Sequence, residues 1–293
     1  MSEGRVYPAW VDGRILPEEA PGIAPADEGL LLGLGLFETL AIEEGIPLFL
    51  EEHLARMAEG GSVLGLRPPA VDPDSAVRTY LREAGIERAA LRITWTRGAS
   101  RGAPSLVVTA RDLPPPPREV SLSIAPYRKD PADPLERVKT VSRARAALAR
   151  ERALARGAFD ALVATADGDF AEGTITNLFA FAGGSLRTPP PERGVLPGTV
   201  RKILLGALRV PVREERVRGE DLAAAEEVFV TNALVGVVPV AAIEGFPRAF
   251  PGARGPLAAM ARDLYRAAVD RYVAERAGTA PIIRRPRAPG PFR

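Results

Sequence analysis

The chain contains no cysteine and only one histidine, His53, in 293 residues. Without cysteine there are no disulfides, no thiol nucleophile and no sulfur-ligated metal. A single histidine excludes a multi-histidine metal site and argues against a Ser-His-Asp triad, so no metal is expected. Excess charge of one sign is also missing: 39 basic residues face 37 acidic ones, for a formal net charge of +2. With no dense basic stripe before the last residues, nucleic acid is not an expected partner. No apolar run reaches the roughly 18 residues of a membrane span, and Met1-Ser2-Glu3-Gly4-Arg5 carries no apolar stretch of a signal peptide. These absences leave a cytoplasmic protein acting on a small molecule as the expectation. A hydrophobic content of 46% gives enough material for a substantial core or two modest domains.

Lysine is the scarcest of the common charged residues. Only Lys129, Lys139 and Lys202 stand among the 39 basic side chains. Arginine does most of lysine's surface work but cannot lose its proton and attack a carbonyl. A chain so poor in lysine keeps a candidate for amine chemistry in Lys139, within Arg137-Val138-Lys139-Thr140-Val141-Ser142-Arg143. The bland alternative is a surviving surface lysine. Lys129, in an apparent loop after Tyr127-Arg128, reads as surface. Lys202, on a helix after Arg201, reads as surface or as lying near a phosphate region.

Pro114-Pro115-Pro116-Pro117 cannot continue a helix or a central strand and marks an extended connector. It divides an N-terminal domain (1–113) from a C-terminal domain (121–277), with a linker over 114–120 and a tail over 278–293 that is expected to be mobile. Before the linker the pattern predicts hairpins turning at Asp12-Gly13 and near Glu43-Glu44-Gly45. It also predicts helices over 51–64 and 73–84 and strands over 91–96 and 105–110. After the linker it predicts strands over 120–125, 160–165, 170–172, 177–182, 185–188, 227–231 and 236–243. Helices are expected over 142–156, 198–208 and 257–276, with Lys139 at the head of the first.

Four segments carry the chemistry: Gly35-Leu36-Phe37-Glu38-Thr39-Leu40 with His53-Leu54-Ala55-Arg56; Lys139; Ala171-Glu172-Gly173-Thr174-Ile175-Thr176-Asn177-Leu178-Phe179; and Leu196-Pro197-Gly198-Thr199-Val200-Arg201 with Thr231-Asn232-Ala233-Leu234 and Pro239-Val240. In kind and order over roughly residues 5 to 245, this set resembles the class IV aminotransferase family, the fold-type IV enzymes that use pyridoxal 5'-phosphate. The resemblance implies an α/β (α+β) chain of two domains with the cofactor between them, assembled as a homodimer.

The resemblance also assigns roles. Lys139 holds the cofactor aldehyde and later moves a proton at the substrate carbon. Glu172 pairs with the pyridine nitrogen and keeps the ring protonated. Arg56 grips the phosphate with its planar fork, with His53 one helical turn earlier as structural support. Leu196, Thr199, Val200, Asn232 and Ala233 complete the cofactor-binding set, the backbone amides at the Gly198-Thr199-Val200 helix start cradling the phosphate. Two hydroxyls are missing, because Val200 stands where aminotransferases usually have threonine and Asn232-Ala233 replaces a Gly/Ser-Thr pair; Asn232 is expected to add a side-chain donor.

Within the family, Asn232-Ala233-Leu234 with Pro239-Val240, the 35–40 segment and Arg143 four residues after Lys139 look most like the 4-amino-4-deoxychorismate lyases. An aminotransferase for D- or branched-chain amino acids is the alternative. The Thr96–Gly102 loop lacks the histidine with which D-amino acid enzymes hold the substrate carboxylate. Arg97 and Arg101 are expected to face a substrate carboxylate, and Thr39 or Lys139 to supply the proton to the leaving group. A reading of a different class, a non-catalytic binding protein on this fold, predicts no covalently held cofactor. Gly33-Leu34-Gly35 lacks the third glycine and the preceding strand of a dinucleotide fingerprint.

Overall fold

The computed structural model describes residues 6–17, 20, 22–100 and 102–278. The chain divides into two compact units, the first comprising residues up to Pro114 together with those from Arg271, the second running from Pro115 to Asp270.

In the first unit the elements are β1 (Ala9–Val11), β2 (Arg14–Leu16), α1 (Glu28–Leu31), β3 (Gly35–Glu43), β4 (Ile46–Pro47), α2 (Leu50–Leu64), α3 (Pro73–Ala84), β5 (Ala89–Thr96) and β6 (Leu106–Arg111). The strands form one sheet in the order β2-β1-β6-β5-β3-β4, with every neighbour antiparallel. Both expected hairpins form, and both turn through left-handed residue pairs, Asp12-Gly13 and Glu44-Gly45, the geometry that matches strand twist. Helix α3 starts where Asp72 accepts the Ser75 N–H at 2.9 Å and Pro73 opens the first turn. It ends at left-handed Gly85. Alternation puts Leu36, Glu38, Leu40 and Ile42 of β3 on one face, all essentially inaccessible. Phe37 and Thr39 lie on the other face, where the Arg92 guanidinium sits 3.7 Å from the Phe37 ring centroid.

The second unit holds β7 (Val120–Lys129), α4 (Ala144–Ala155), β8 (Asp160–Thr165), β9 (Phe170–Gly173), β10 (Asn177–Ala182), β11 (Ser185–Thr188), α5 (Thr199–Ala207), β12 (Val212–Glu214), α6 (Gly219–Ala224), β13 (Glu227–Asn232) and β14 (Gly236–Ile243). Helix α7 (Pro256–Arg276) begins here. Eight strands run in the order β12-β11-β10-β13-β14-β7-β8-β9, and β9 pairs back onto β10. That last pairing closes six of the strands into a small barrel, and its register partners are Glu172 and Asn177. One apolar cluster joins Leu162, Leu178, Val230, Val238 and Val240. A second sets Phe179, Phe229 and Val237 against Val200 and Leu204 of α5 and Leu257, Ala258 and Ala261 of α7. In the latter, Phe179 and Phe229 stack with centroids 4.8 Å apart, a contact contributing about 1 kcal/mol beyond area burial.

Three expectations change. Strand β7 runs four residues past the expected end, so Lys129 lies in a strand and is 5% exposed rather than on the surface. Helix α4 starts at Ala144, five residues after Lys139. The β-branched Thr140 and Val141 resist helix, and Val138 is extended (φ −104°, ψ 137°). Helix α6, the short helix α1 and the edge strand β12 carried no periodic signal. Of the proline- and arginine-rich tail, only Gly278 is among the described residues.

Candidate active site

The barrel seam places Glu172. Its Oε1 accepts a hydrogen bond from Lys129 Nζ at 2.6 Å, and its Oε2 accepts from Asn177 Nδ2 and Leu196 N, each at 3.1 Å. The carboxylate is thus held in one orientation while 6% exposed. An ionised carboxylate offers about four lone-pair directions; three donors leave one, on Oε1, for a further partner.

The turn after Glu172 is built on a buried carboxylate. Asp160, wholly inaccessible, accepts from Ala161 N (2.8 Å), Thr174 N (3.1 Å), Ile175 N (3.1 Å), the Thr176 hydroxyl (2.8 Å) and the Thr174 hydroxyl. Burial pushes the Asp160 carboxyl up, against the pull of the hydroxyls of Thr174 and Thr176 and of the backbone N–H groups. A Cβ on Gly173 would collide with Asp160 Oδ2 and Thr176 Oγ1, so only glycine fits between the acid and the turn. Asp160 and Asn177 hold the surroundings of Glu172 in place, and the sequence left both without a role. Asn177 stands in the quoted motif, but Asp160 gives no local signal.

Lys139 lies half-buried in the segment between β7 and α4. That segment is tied to the surroundings of Glu172 at two points, in its middle and at its end. The Glu136 carbonyl accepts from Lys129 Nζ at 3.2 Å, and Arg143 Nη2 donates to the Thr174 carbonyl. Of the three lysines, Lys129 has all three ammonium protons committed, to Glu172 Oε1, the Gly194 carbonyl (2.7 Å) and the Glu136 carbonyl. It cannot act as the nucleophile. Lys202 sits on α5 in the turn after its start.

The start of α5 has no side-chain cap: Gly198 is its N-cap and offers no side-chain acceptor to the first N–H groups. A Cβ on Gly198 would strike Asn177 Oδ1. Asn177 also donates to the Leu196 carbonyl at 2.9 Å and thereby joins Glu172 to the turn that opens α5. The Leu196 N–H is committed to Glu172, so Leu196 acts through that carboxylate. Thr199 is 6% exposed, and the Val200 side chain lies in the apolar cluster with Phe229 and Val237. Val200 therefore has only its backbone N–H to offer. Asn232 ends β13, one residue past Thr231, the register partner of Asn177. Its Oδ1 accepts from Leu234 N (2.9 Å) and Val235 N (3.0 Å), which leaves its NH2 as the donor for a ligand. Ala233, half-buried in the same turn, offers its backbone N–H.

In the first unit Arg56 makes a two-pronged pair with Glu38: Nε to Oε1 at 2.8 Å and Nη2 to Oε2 at 2.6 Å. His53 Nδ1 lies 2.7 Å from Glu38 Oε2, which makes it the support that the sequence suggested. Burial pushes the Glu38 carboxyl up. The Arg56 charge and the hydrogen bonds from His53 and Arg56 outweigh that and bring it down to about 2. Thr39 is half-buried on β3 and paired in register with Arg92. Arg97 Nη1 lies 3.4 Å from Glu28 Oε2, its side chain 41% exposed. Arg101 lies outside the described residues. Among the described residues there is no acidic or histidine cluster able to hold a metal, and no helix is long and apolar enough to cross a membrane.

The chain offers a half-buried lysine amine, an oriented carboxylate with one acceptor site left, and an uncapped helix start. This donor set fits a phosphorylated pyridine aldehyde. Comparison with known proteins agrees. Residues 35–243 match the family model described as amino-transferase class IV. A putative branched-chain-amino-acid aminotransferase of Methanocaldococcus jannaschii is 28% identical over 80% of this chain and 88% of its own length. The aminodeoxychorismate lyase of Bacillus subtilis is 23% identical over 92% and 98%. The crystal structure of 4-amino-4-deoxychorismate lyase from Pseudomonas aeruginosa superposes with a TM-score of 0.77 at 29% identity, covering 89% of this chain and 99% of that one. The chain has the fold-type IV architecture and belongs to the class IV aminotransferase family, whose enzymes use pyridoxal 5'-phosphate.

Proposed function

We propose that the chain is a lyase that converts 4-amino-4-deoxychorismate to 4-aminobenzoate and pyruvate. The observation that carries this reading is the turn after β13. Asn232 folds its Oδ1 onto Leu234 N and Val235 N, giving a hydroxyl-free Asn-Ala-Leu turn of the kind that the sequence associates with the lyase branch. The likeness to the Pseudomonas aeruginosa lyase supports it. The likeness to the Methanocaldococcus jannaschii aminotransferase keeps transamination of branched-chain amino acids as the second reading.

When bound, pyridoxal phosphate supplies an aldehyde for the substrate amine and a cationic ring that accepts an electron pair. Lys139 takes the proton from the substrate carbon bearing the nitrogen. Glu172 holds the proton on the ring nitrogen. Breaking of the ring carbon–oxygen bond expels the enolpyruvyl group and leaves an aromatic product, and Thr39 or Lys139 returns a proton to the departing group, which becomes pyruvate. The N–H groups of Thr199, Val200 and Ala233, the Asn232 amide and Arg56 hold the phosphate, fixing the ring so that the proton moves along one face. One or more of Arg97 and Arg101 takes the substrate carboxylates.

A homodimer belongs to the same proposal. Leu30, Leu31 and Leu32 are 62–68% exposed in consecutive positions, an apolar run suited to a second copy.

The test uses purified, cofactor-loaded protein. Release of 4-aminobenzoate and pyruvate with no 2-oxo acid present supports the lyase. Conversion of the cofactor to its amine form by an amino acid alone, with neither product formed, eliminates it in favour of the aminotransferase.

A further inference from the structure

Lys129 has no role in the chemistry above, yet it is one of the most completely bonded charges in the second unit. A lysine loses much conformational freedom when buried, and burying its charge is tolerated only with partners. Lys129 has them on three sides: Glu172 Oε1 at 2.6 Å, the Gly194 carbonyl at 2.7 Å and the Glu136 carbonyl at 3.2 Å. The Glu136 carboxylate lies 3.6 Å away and is itself 3.0 Å from Arg145. Arg145 is 65% exposed and lies 5.3 Å from the centroid of the Tyr127 ring. The charges therefore alternate along one row: Arg145, Glu136, Lys129, Glu172. The row runs from solvent to the carboxylate that faces the cofactor ring.

Lys129 also spans the two parts of the cofactor half-site. Through Gly194 it holds one end of the turn 194–196, whose other end, Leu196 N, donates to Glu172 directly. That turn leads into Gly198 and the uncapped start of α5.

We infer that Lys129 is a positioning residue for the cofactor: it orients Glu172 toward the ring nitrogen, keeps the shared proton on that nitrogen, and locks the turn that carries the phosphate cradle. The inference rests on the pyridoxal-phosphate reading of Glu172. Its physical basis is distance. The ammonium touches the carboxylate directly and is one hydrogen bond further from the ring nitrogen, so it acts more strongly on Glu172. Without it, the buried Glu172 keeps only two neutral donors, Asn177 Nδ2 and Leu196 N, and competes more strongly for the shared proton.

The experiment loads the full-length protein with cofactor labelled with 15N in the ring and compares wild type with Lys129→Met and Lys129→Arg. The wild-type resonance is expected at the protonated-pyridine position. In Lys129→Met it moves toward the neutral-ring position, and cofactor affinity falls at least about tenfold. Lys129→Arg keeps the charge, so the protonated position is retained with affinity within a few-fold. A wild-type resonance and affinity in Lys129→Met overturns the inference. If Lys129→Met does not fold, Lys129→Arg decides alone, and a neutral ring in that variant overturns it. The parent reading fails differently: borohydride reduction of wild type would then leave no cofactor on the peptide containing Lys139.

Discussion

Replacing Glu38 by glutamine tests the electrostatics of the first unit directly. Glu38 is inaccessible and binds Arg56 through both oxygens, with His53 at 2.7 Å. Its carboxyl is lowered from 4.5 to about 2. A tenfold change in the acid's dissociation constant corresponds to about 1.4 kcal/mol, so the ionised group contributes on the order of 3 kcal/mol. Because the folded value lies below the unfolded one, this contribution is complete above about pH 4.5 and is lost as pH falls through about 2. Glutamine mimics the protonated acid. Glu38→Gln is therefore expected to lose about 3 kcal/mol at pH 7, the range for breaking a buried pair. Its deficit against wild type should shrink by about 1.4 kcal/mol for each tenfold rise in proton concentration between roughly pH 4.5 and 2. Both tryptophans, Trp10 and Trp95, are buried in this unit, so urea unfolding followed by their fluorescence reports on it selectively. A deficit below about 1 kcal/mol at pH 7, or one that does not change over that acid range, would refute the reasoning.

Other substitutions probe the second unit. Gly198→Ala drives a methyl into Asn177 Oδ1; equilibrium titration should show cofactor affinity falling at least about tenfold, and unchanged affinity would contradict the tight approach. Val200→Thr places a hydroxyl in the apolar cluster around Phe229 and should cost about 1–3 kcal/mol in thermal or denaturant unfolding. A stabilised variant would mean that the hydroxyl reaches a polar partner instead. Asp160→Asn sets its NH2 against a backbone N–H in either flip, since Ala161 and Thr174 N–H face Oδ1 and Ile175 N–H faces Oδ2. A loss of about 3 kcal/mol is expected, and a neutral effect in the same assay would show that the turn does not depend on that acid.

The amino-acid order alone determined most of what is local. Asp12-Gly13 and Glu44-Gly45 supply the left-handed pairs of their hairpins, Asp72-Pro73 and Gly85 bracket α3, and alternation along β3 separates Leu36, Leu40 and Ile42 from Thr39. The ordered motifs around Arg56, Lys139, Glu172 and Gly198 carried the resemblance to the family, and the scarcity of lysine singled out Lys139 as the candidate amine. Tertiary structure decided what depends on partners distant in the chain. Lys129 is a buried ammonium only because β7 continues beside β8 and carries it to Glu172, 43 residues away. Asp160 acquires four of its five donors only when β8 meets the turn after β9, and Val200 becomes a core residue only when α5 lies on Phe229. Periodicity reports which face of an element is apolar. The charge that will stand opposite a given side chain is set by strand pairing across the barrel, which no local pattern encodes.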